Sequence, residues 1–299
     1  HGKNYYLVIC GGKKTTRVKY SDMTIRRKTG AANRKVQKLM NLMNMETVHV
    51  AWDFLKENGL KALILKSKHK IQGIDDDYDY AEWWNLTKPS EEELEEQKKK
   101  KFDYMPKFSI VIPVYKTPEK FLKEMLDSIV EQTYANWELC IADGSPAGES
   151  VENVLKKYAE KDARIRYQVL GENRGISGNT NAALEMAEGD FIVLADHDDR
   201  LTPNALFECA KKLNENENCD VLYSDEDKLD MDGDELFDPH FKPDFNPDLL
   251  TSVNYICHLF VVKKELLDKV GGFRPEYDGA QDYDFIFRCT ENAKQICHI

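Results

Sequence analysis

The chain has 299 residues, of which 41% are hydrophobic and 32% are charged, and its formal net charge is −11. This composition is typical of a globular protein and excludes an intrinsically disordered chain. No apolar run approaches the roughly 20 residues of a membrane-spanning helix, and the start at His1 lacks the apolar core of a signal peptide. We therefore expect a globular protein of one large domain or two ordinary ones, present here as a trimmed fragment.

The seven cysteines indicate a reducing compartment. Their number is odd and no Cys-x-x-Cys pair occurs, which argues against a disulfide framework or a zinc ribbon. Several stand inside apolar runs, where cysteine packs as a small hydrophobic residue. These features predict a cytoplasmic protein.

Charge is divided unevenly along the chain. Residues 1–105 carry 21 Lys and Arg against 15 Asp and Glu, whereas residues 106–299 carry 21 against 38. Within the first part, residues 13–38 hold ten basic side chains and a single acid, Asp22. This segment is either a solvated face or a peripheral contact with the inner face of the plasma membrane or a lipid diphosphate. Nucleic acid is not an expected partner, because the acidic remainder of the chain would repel it.

The chain divides into three predicted regions. Residues 1–75 form a small, mainly helical α/β region whose sequence shows no chemical motif. Residues 76–105 form an acidic and aromatic linker followed by a helix, for which Ser90 is the predicted N-cap. The aromatic residues of the linker are predicted to pack on the following domain; they are Tyr78, Tyr80, Trp83 and Trp84. Residues 106–299 form the main domain.

Strands and helices alternate regularly from Phe108 onward. Strands are predicted at 109–115, 137–142, 165–170 and 190–195, with helices at 121–132, 150–161 and 177–187 between them. This alternation predicts an open, mostly parallel α/β sheet with flanking helices. Further strands are expected at 220–223 and 254–257, and a last helix at 282–292. In such sheets ligands bind beyond the carboxyl ends of the strands.

The predicted strand ends carry side chains suited to a nucleoside diphosphate. Tyr115 follows the first strand, Asp143 the second, Arg174 the third, and Asp196 the fourth. An aromatic ring can stack on a base, a carboxylate can bind base or ribose, and arginine can neutralise phosphate. The sequence therefore predicts a nucleotide site at this edge of the sheet.

Asp196-His197-Asp198-Asp199 is the sharpest local signal. Three carboxylates within four residues, directly after a buried strand, are difficult to accommodate without a cation. We expect them to bind Mn²⁺ or Mg²⁺. The alternative is a helix N-cap ahead of Thr202-Pro203, supplied by Asp199 or Thr202.

Several motifs in order along the chain resemble the family 2 glycosyltransferases. These enzymes have the GT-A fold, and the likeness is greatest to the bacterial branch that builds O-antigen, rhamnan and other cell-surface polysaccharides. The resemblance covers roughly residues 80–299. The motifs are Ser109–Lys116, Gln132–Leu139, Asp143-Gly144-Ser145, Asn173-Arg174-Gly175, Asp196-His197-Asp198, Tyr223–Lys228, Phe241-Lys242-Pro243-Asp244 and Gly279–Asp284.

The resemblance implies a set of nucleotide and metal contacts. Tyr115, with Pro113 and Val114 before it, would lie beside the nucleobase. Lys116 stands where the family more often has Asn. Asp143 would bind the edge of the base, and Arg174 would lie near the base or the diphosphate. Asp196 would bind the ribose and Asp198 the metal. His258 would be a further metal ligand, an acceptor contact or a packing residue.

The resemblance also implies an inverting transfer with a carboxylate as general base. The family carries that base in a Glu-Asp or Gln-Asp pair that begins a helix, which here matches Gln281-Asp282. Asp282 is therefore the predicted base, and Asp284 is expected to cap the helix and to offset its dipole. Three acids near residue 225 are predicted either to face donor sugar or acceptor or to form a solvated loop; they are Asp225, Glu226 and Asp227.

The implied reaction moves a sugar from a UDP- or dTDP-sugar to a glycan or lipid-linked saccharide. His298 is similar to a family position just ahead of a further strand, so the active site is expected to be incomplete at the C-terminus. Two alternatives stay open. One is a non-catalytic nucleotide-sugar or glycan-binding module. The other is a sugar nucleotidyltransferase, for which Thr117-Pro118-Glu119 does not resemble the required glycine-rich loop.

Overall fold

A computed structural model describes residues 80–230 and 236–299. These residues belong to the unit that runs from Tyr78 to Ile299. The predictions for residues 1–75, including the basic segment 13–38, lie outside the described residues. The predicted division at residues 75 and 105 stays a prediction.

A seven-stranded sheet forms the centre of this unit. Its order is β3-β2-β1-β4-β8-β5-β9, and only β8 runs antiparallel to its neighbours. β6 and β7 pair separately as an antiparallel hairpin. The strands are β1 (Phe108–Val114), β2 (Trp137–Asp143), β3 (Ile165–Val169), β4 (Phe191–Leu194), β5 (Val221–Tyr223), β6 (Glu226–Leu229), β7 (Leu236–His240), β8 (Phe260–Lys263) and β9 (Ile296–His298).

Helices cover both faces of the sheet. They are α1 (Tyr80–Thr87), α2 (Glu91–Lys99), α3 (Glu119–Val130), α4 (Glu152–Ala159), α5 (Gly175–Leu184), α6 (Ala205–Glu215), α7 (Pro247–Leu250), α8 (Lys264–Val270) and α9 (Gln281–Asn292), with a 3-10 helix at Pro275–Tyr277. Among residues 80–230 and 236–299, none of these helices has the length and apolar character needed to cross a bilayer.

The core consists of two apolar layers because β1 is buried on both faces. Ile110 and Ile112 pack in one layer with residues of α3, α4 and α6, whereas Val111 packs in the other with residues of α5, α8 and α9. All seven residues of β2 are buried. Continuous apolar runs are typical of strands that helices cover on both sides, and the predicted α/β sheet with flanking helices is confirmed.

Two local predictions were wrong. Residues 254–257 are not a strand, because the strand begins at Phe260. The carbonyl of Ile256 accepts its hydrogen bond from Lys242 Nζ and not from the backbone of a neighbouring strand. α6 begins at Ala205 after Asn204, so neither Asp199 nor Thr202 is its N-cap.

α1 and α2 bear out the linker predictions. Ser90 accepts a hydrogen bond from the Glu93 amide, and the Glu93 side chain accepts one from the Ser90 amide, so α2 begins with a capping box. In α1, the rings of Tyr80 and Trp83 lie with centroids 5.5 Å apart and pack edge-on against Phe241. The aromatic linker residues that the structure describes therefore include two that pack on the following domain.

Asp284 lies in the first turn of α9, where an acid offsets the helix dipole, but it makes no cap hydrogen bond and instead connects α9 to the segment before it. Its carboxylate is 8% exposed and accepts hydrogen bonds from Arg274 and Arg288. Burial opposes the charged form, but the two arginines outweigh it and hold the pKa of Asp284 below its usual range. Arg288 also donates to the backbone carbonyls of residues 270–272. The network therefore fixes α9 against the end of α8.

We expect Asp284→Asn to lower the free energy of unfolding by about 2–3 kcal/mol, because two arginines would lose a charged acceptor. Urea denaturation measures this change. A carboxyl group whose pKa is lower in the folded than in the unfolded state stabilises the protein at pH values above the unfolded-state pKa. This stabilisation is lost as the pH falls through the folded-state pKa. The difference from wild type should therefore shrink in acid.

Asp268→Asn is the matched control for this measurement. Asp268 is 61% exposed and pairs with Lys264 across one turn of α8. Such a surface pair contributes little, so the control should change stability by less than about 0.5 kcal/mol. Equal effects of the two substitutions would contradict the structural role of Asp284.

Candidate active site

The ends of three parallel strands bring the predicted nucleotide contacts to one edge of the sheet. β1 pairs with β2 on one side and β4 on the other, and Val114 lies opposite Asp143 in that register. Residues that follow these strands, Tyr115 and Asp196 among them, therefore lie at the same edge. This is the edge at which open α/β sheets bind ligands.

An acidic group lies directly beyond β4. Asp196, Asp199 and His258 each offer one ligand atom, and these atoms lie within 4.8 Å of one another. Asp196 Oδ2 is 3.5 Å from His258 Nε2. Asp198 lies outside this group: its side chain is 57% exposed, and its Oδ1 is 3.5 Å from His197 Nδ1. The structure thus brings together His258 and Asp196 but not the predicted metal ligand Asp198.

The charges of this group depend strongly on one another. The hydrogen bond from His258 holds the pKa of Asp196 below its usual range, although burial opposes the shift. Burial and two neighbouring carboxylates raise the pKa of Asp199. Burial disfavours the charged ring of His258, but hydrogen bonds to Asp196 and Cys257 outweigh it and raise the pKa of His258 to about 11. The two carboxylates therefore favour a positive charge beside them.

The donor set of this group suits a divalent cation. Carboxylate oxygens are preferred ligands of Mg²⁺ and Mn²⁺, and two carboxylates leave room for the phosphate oxygens of a substrate. Imidazole binds a metal through its neutral form, so cation binding here would release the proton of His258. Asp196, Asp199 and His258 fit the predicted Mn²⁺ or Mg²⁺.

Asp282 lies at the start of α9 within electrostatic reach of the acidic group. Burial and the charge of Asp196 raise its pKa, whereas His258 opposes the shift. The amide of Gln281 donates to Asp282 Oδ2 at 2.7 Å, and Gln281 Oε1 accepts from the Gly279 amide at 2.8 Å. Gln281 itself is buried. The pair predicted from the sequence therefore positions a carboxylate whose basicity exceeds that of an ordinary aspartate.

Asp143 at the end of β2 is fully buried. Its carboxylate accepts hydrogen bonds from the Ser145 amide at 2.9 Å, the Ser150 hydroxyl at 2.6 Å and the Val151 amide at 3.2 Å. A Cβ on Gly144 would lie 2.5 Å from the Asn179 side chain, so a larger residue here would displace that side chain. Asp143 thus shapes the loop that follows β2.

Tyr115 lies exposed at the turn after β1, whereas Val114 is fully buried beneath it. Lys116 has a φ of 51°, a left-handed conformation that Asn adopts more readily than Lys. The Lys116 amide donates to Ser145 Oγ at 2.8 Å, which ties this turn to the loop after β2. Pro113, the penultimate residue of β1, is partly buried.

Arg174 stands immediately before α5. Its side chain is 48% exposed, with Nε 3.4 Å from Glu172, and its amide donates to Asn179 Oδ1 at 3.1 Å. The guanidinium is therefore accessible to an anionic ligand, while its backbone is fixed by a buried residue of the helix.

The three acids near residue 225 each contact another part of the domain. Asp225 Oδ1 lies 2.8 Å from His298 Nε2, whose ring stacks on Tyr223. Asp227 accepts a hydrogen bond from the hydroxyl of Tyr80 in α1. Glu226 Oε2 accepts the His258 amide at 2.6 Å. These carboxylates hold the β6–β7 hairpin in place rather than forming a solvated loop.

Two residues of the site were not singled out from the sequence. Asp199 belongs to the acidic run expected to bind the cation, but the family resemblance assigns the metal to Asp198 and gives Asp199 no ligand role of its own. Lys242 occurs within a motif of the family branch, but its side chain is 0% exposed. The sequence does not show this burial, because a lysine is almost always exposed and would be expected to be so here.

The open sheet and the acidic group beyond β4 place this chain among the α/β proteins that bind ligands at the carboxyl edge of the sheet. The sequence profile described as Glycosyl transferase family 2 matches residues 109–271, more than half of the chain. The chain belongs to this family, and its fold is the predicted GT-A fold.

Two curated relatives extend the match. The chain is 43% identical over 196 residues to the uncharacterized protein y4gI of Sinorhizobium fredii, covering 65% of this chain and 22% of that protein. It is 35% identical over 221 residues to the O-antigen biosynthesis protein RfbC of Myxococcus xanthus, covering 74% of this chain and 17% of that protein. The chain therefore corresponds to about a fifth of the length of these relatives.

Solved structures of S. aureus TarS share the fold. Residues 1–349 of TarS superpose with a TM-score of 0.53 at 25% identity, over 64% of this chain and 58% of that chain. The same TarS fragment has been solved in complex with UDP and with UDP-GlcNAc.

Proposed function

We propose that residues 106–299 form an inverting glycosyltransferase domain of polysaccharide synthesis. The donor is a UDP- or dTDP-sugar and the acceptor is a glycan or lipid-linked saccharide. The observation that carries this proposal is the position of Asp282, a carboxylate with a raised pKa beside the acidic group at the sheet edge. The names of RfbC and of the TarS complexes support polysaccharide synthesis and a UDP-linked donor.

The proposed donor site follows the strand ends. Tyr115, with Pro113 and Val114 behind it, lies beside the base, and Arg174 faces the base or diphosphate. Asp143 contributes through the loop that it fixes after β2. Asp196 is within reach of both ribose and cation. Mn²⁺ or Mg²⁺, held by Asp196, Asp199 and His258, would supply charge neutralisation for the leaving diphosphate.

Asp282 is the proposed general base. As the acceptor hydroxyl oxygen bonds to the anomeric carbon, its proton passes to the Asp282 carboxylate. The bond from the anomeric carbon to the diphosphate oxygen breaks on the opposite face, and the nucleotide leaves with the electron pair. A single displacement of this kind inverts the anomeric configuration.

Proton NMR of the sugar released from UDP-GlcNAc and other UDP- and dTDP-sugars, with Mn²⁺ present, tests this reaction. We expect one donor to be consumed, with release of its nucleoside diphosphate. The first anomer formed should have the configuration opposite to that of the donor. A product that retains the donor configuration, or consumption of no sugar nucleotide, would contradict the proposal.

A further inference from the structure

Lys242, which lies outside the acidic group, donates a hydrogen bond to the backbone of His258. The Lys242 side chain is 0% exposed, a costly place for an ammonium group unless its donors are satisfied. Its Nζ donates to the carbonyl oxygens of Ile256, at 3.0 Å, and of His258. Both carbonyl groups belong to the loop that precedes β8.

Glu226 binds the other backbone group of His258, its amide. Its Oε2 accepts the His258 amide at 2.6 Å and lies 3.4 Å from Lys242 Nζ. Both backbone groups of His258 are therefore held by one ion pair. We call Lys242, Glu226 and the His258 backbone the clamp.

The clamp connects the β6–β7 hairpin to the acidic group. Glu226 is the first residue of β6, and Lys242 follows β7 with its own amide bonded to Asp225 Oδ1 at 2.7 Å. The His258 ring reaches Asp196 on the far side. The loop that carries His258 is not a strand, so no ladder of backbone hydrogen bonds fixes it. The contacts of the clamp hold its backbone instead.

We propose that Lys242 and Glu226 are positioning residues that set the His258 imidazole for binding of the divalent cation. This inference rests on the proposed function, since it takes His258 as a ligand of that cation. Lys242 and Glu226 are not members of the acidic group, and both act through the His258 backbone. Partners that orient a metal ligand commonly affect affinity by about 10–100-fold.

Lys242→Met separates positioning from simple electrostatics. Removing a positive charge near a cation site should by itself tighten cation binding, because repulsion is lost. Loss of the clamp should instead weaken it. We expect the Mn²⁺ dissociation constant of the full chain, measured by calorimetry with UDP present, to rise about 10–100-fold.

Lys228→Met is the matched control. Lys228 lies in β6 of the same hairpin, is 63% exposed, and pairs with Asp238 of β7. Its loss should leave Mn²⁺ affinity unchanged. Circular dichroism and thermal unfolding establish that each variant is folded under the conditions of the titration.

A second pair of variants covers the case in which Lys242→Met does not fold. Glu226→Gln weakens the grip on the His258 amide, whereas Asp238→Asn removes a charge from the hairpin without touching His258. We expect weaker Mn²⁺ binding for Glu226→Gln alone.

Unchanged or tighter Mn²⁺ binding by folded Lys242→Met, or equal affinities of Glu226→Gln and Asp238→Asn, would overturn the clamp. Absence of Mn²⁺ binding by the wild type is a different result. It would overturn the proposed cation site itself, and the clamp with it.

Discussion

Asp282→Asn is expected to lower kcat by about 10²–10⁴-fold, the contribution that a positioned general base typically makes. The amide has nearly the same shape as the carboxylate but cannot accept the acceptor proton. Affinity for UDP should change little, because the proposed nucleotide contacts lie at the ends of β1 to β4. Initial rates at saturating donor measure the effect.

The pH dependence provides a second readout for the base. Burial and the charge of Asp196 raise the pKa of Asp282, and only the ionised carboxylate can take a proton. The wild-type rate should therefore rise with pH through this raised pKa, and the variant should lose that rise. Variant activity near that of wild type, with the same pH profile, would remove Asp282 from the mechanism.

Asp284→Asn is the matched control for the base. It stands two residues further along α9, undergoes the same chemical change and is tied to Arg274 and Arg288. We expect it to lower stability and to leave the rate constant near that of wild type at temperatures where it is folded. The two substitutions thus separate structure from chemistry on one helix.

The second large effect concerns the cation. Asp199→Asn should weaken Mn²⁺ binding in the presence of UDP by at least about tenfold, because it removes one of three converging ligands. Asp198→Asn should have a small effect, since its carboxylate is exposed and lies outside the group. Calorimetric titration of both variants with Mn²⁺ measures the difference.

The same pair decides between two assignments. The sequence resemblance implies Asp198 as the metal ligand, whereas the geometry favours Asp199. A large loss for Asp198→Asn together with no loss for Asp199→Asn would restore the assignment made from the motif and contradict the one made from the geometry.

The elements that the sequence predicted well are those set by local pattern. β1, β2 and β4 are unbroken apolar runs, and burial on both faces of a parallel sheet produces that pattern. The acidic run after β4 was located for the same reason, because its place follows from the strand before it. The helix that begins at Gln281 was predicted from its apolar spacing, whereas the role of Asp282 as base stays a prediction.

The parts that the sequence did not reveal depend on contacts between distant residues. Residues 254–257 have a strand-like pattern, but Lys242 takes the carbonyl of Ile256 from 14 positions away. Asp198 and Asp199 are adjacent and identical in type, so the sequence pattern cannot show that the ligand atom of Asp199 is the one that converges with Asp196 and His258. The resemblance implies that Asp143 binds the base edge, but the sequence does not show that three donors of its own loop bond to this carboxylate.

Calorimetric titration of the wild type with UDP and with dTDP, each with Mn²⁺ and with EDTA, tests the central claim most directly. The proposed donor site predicts binding of at least one of these nucleotides with Mn²⁺ and its loss with EDTA, which also ranks the two nucleotides. Binding of neither nucleotide under either condition would contradict a nucleotide-sugar-dependent, metal-dependent transferase.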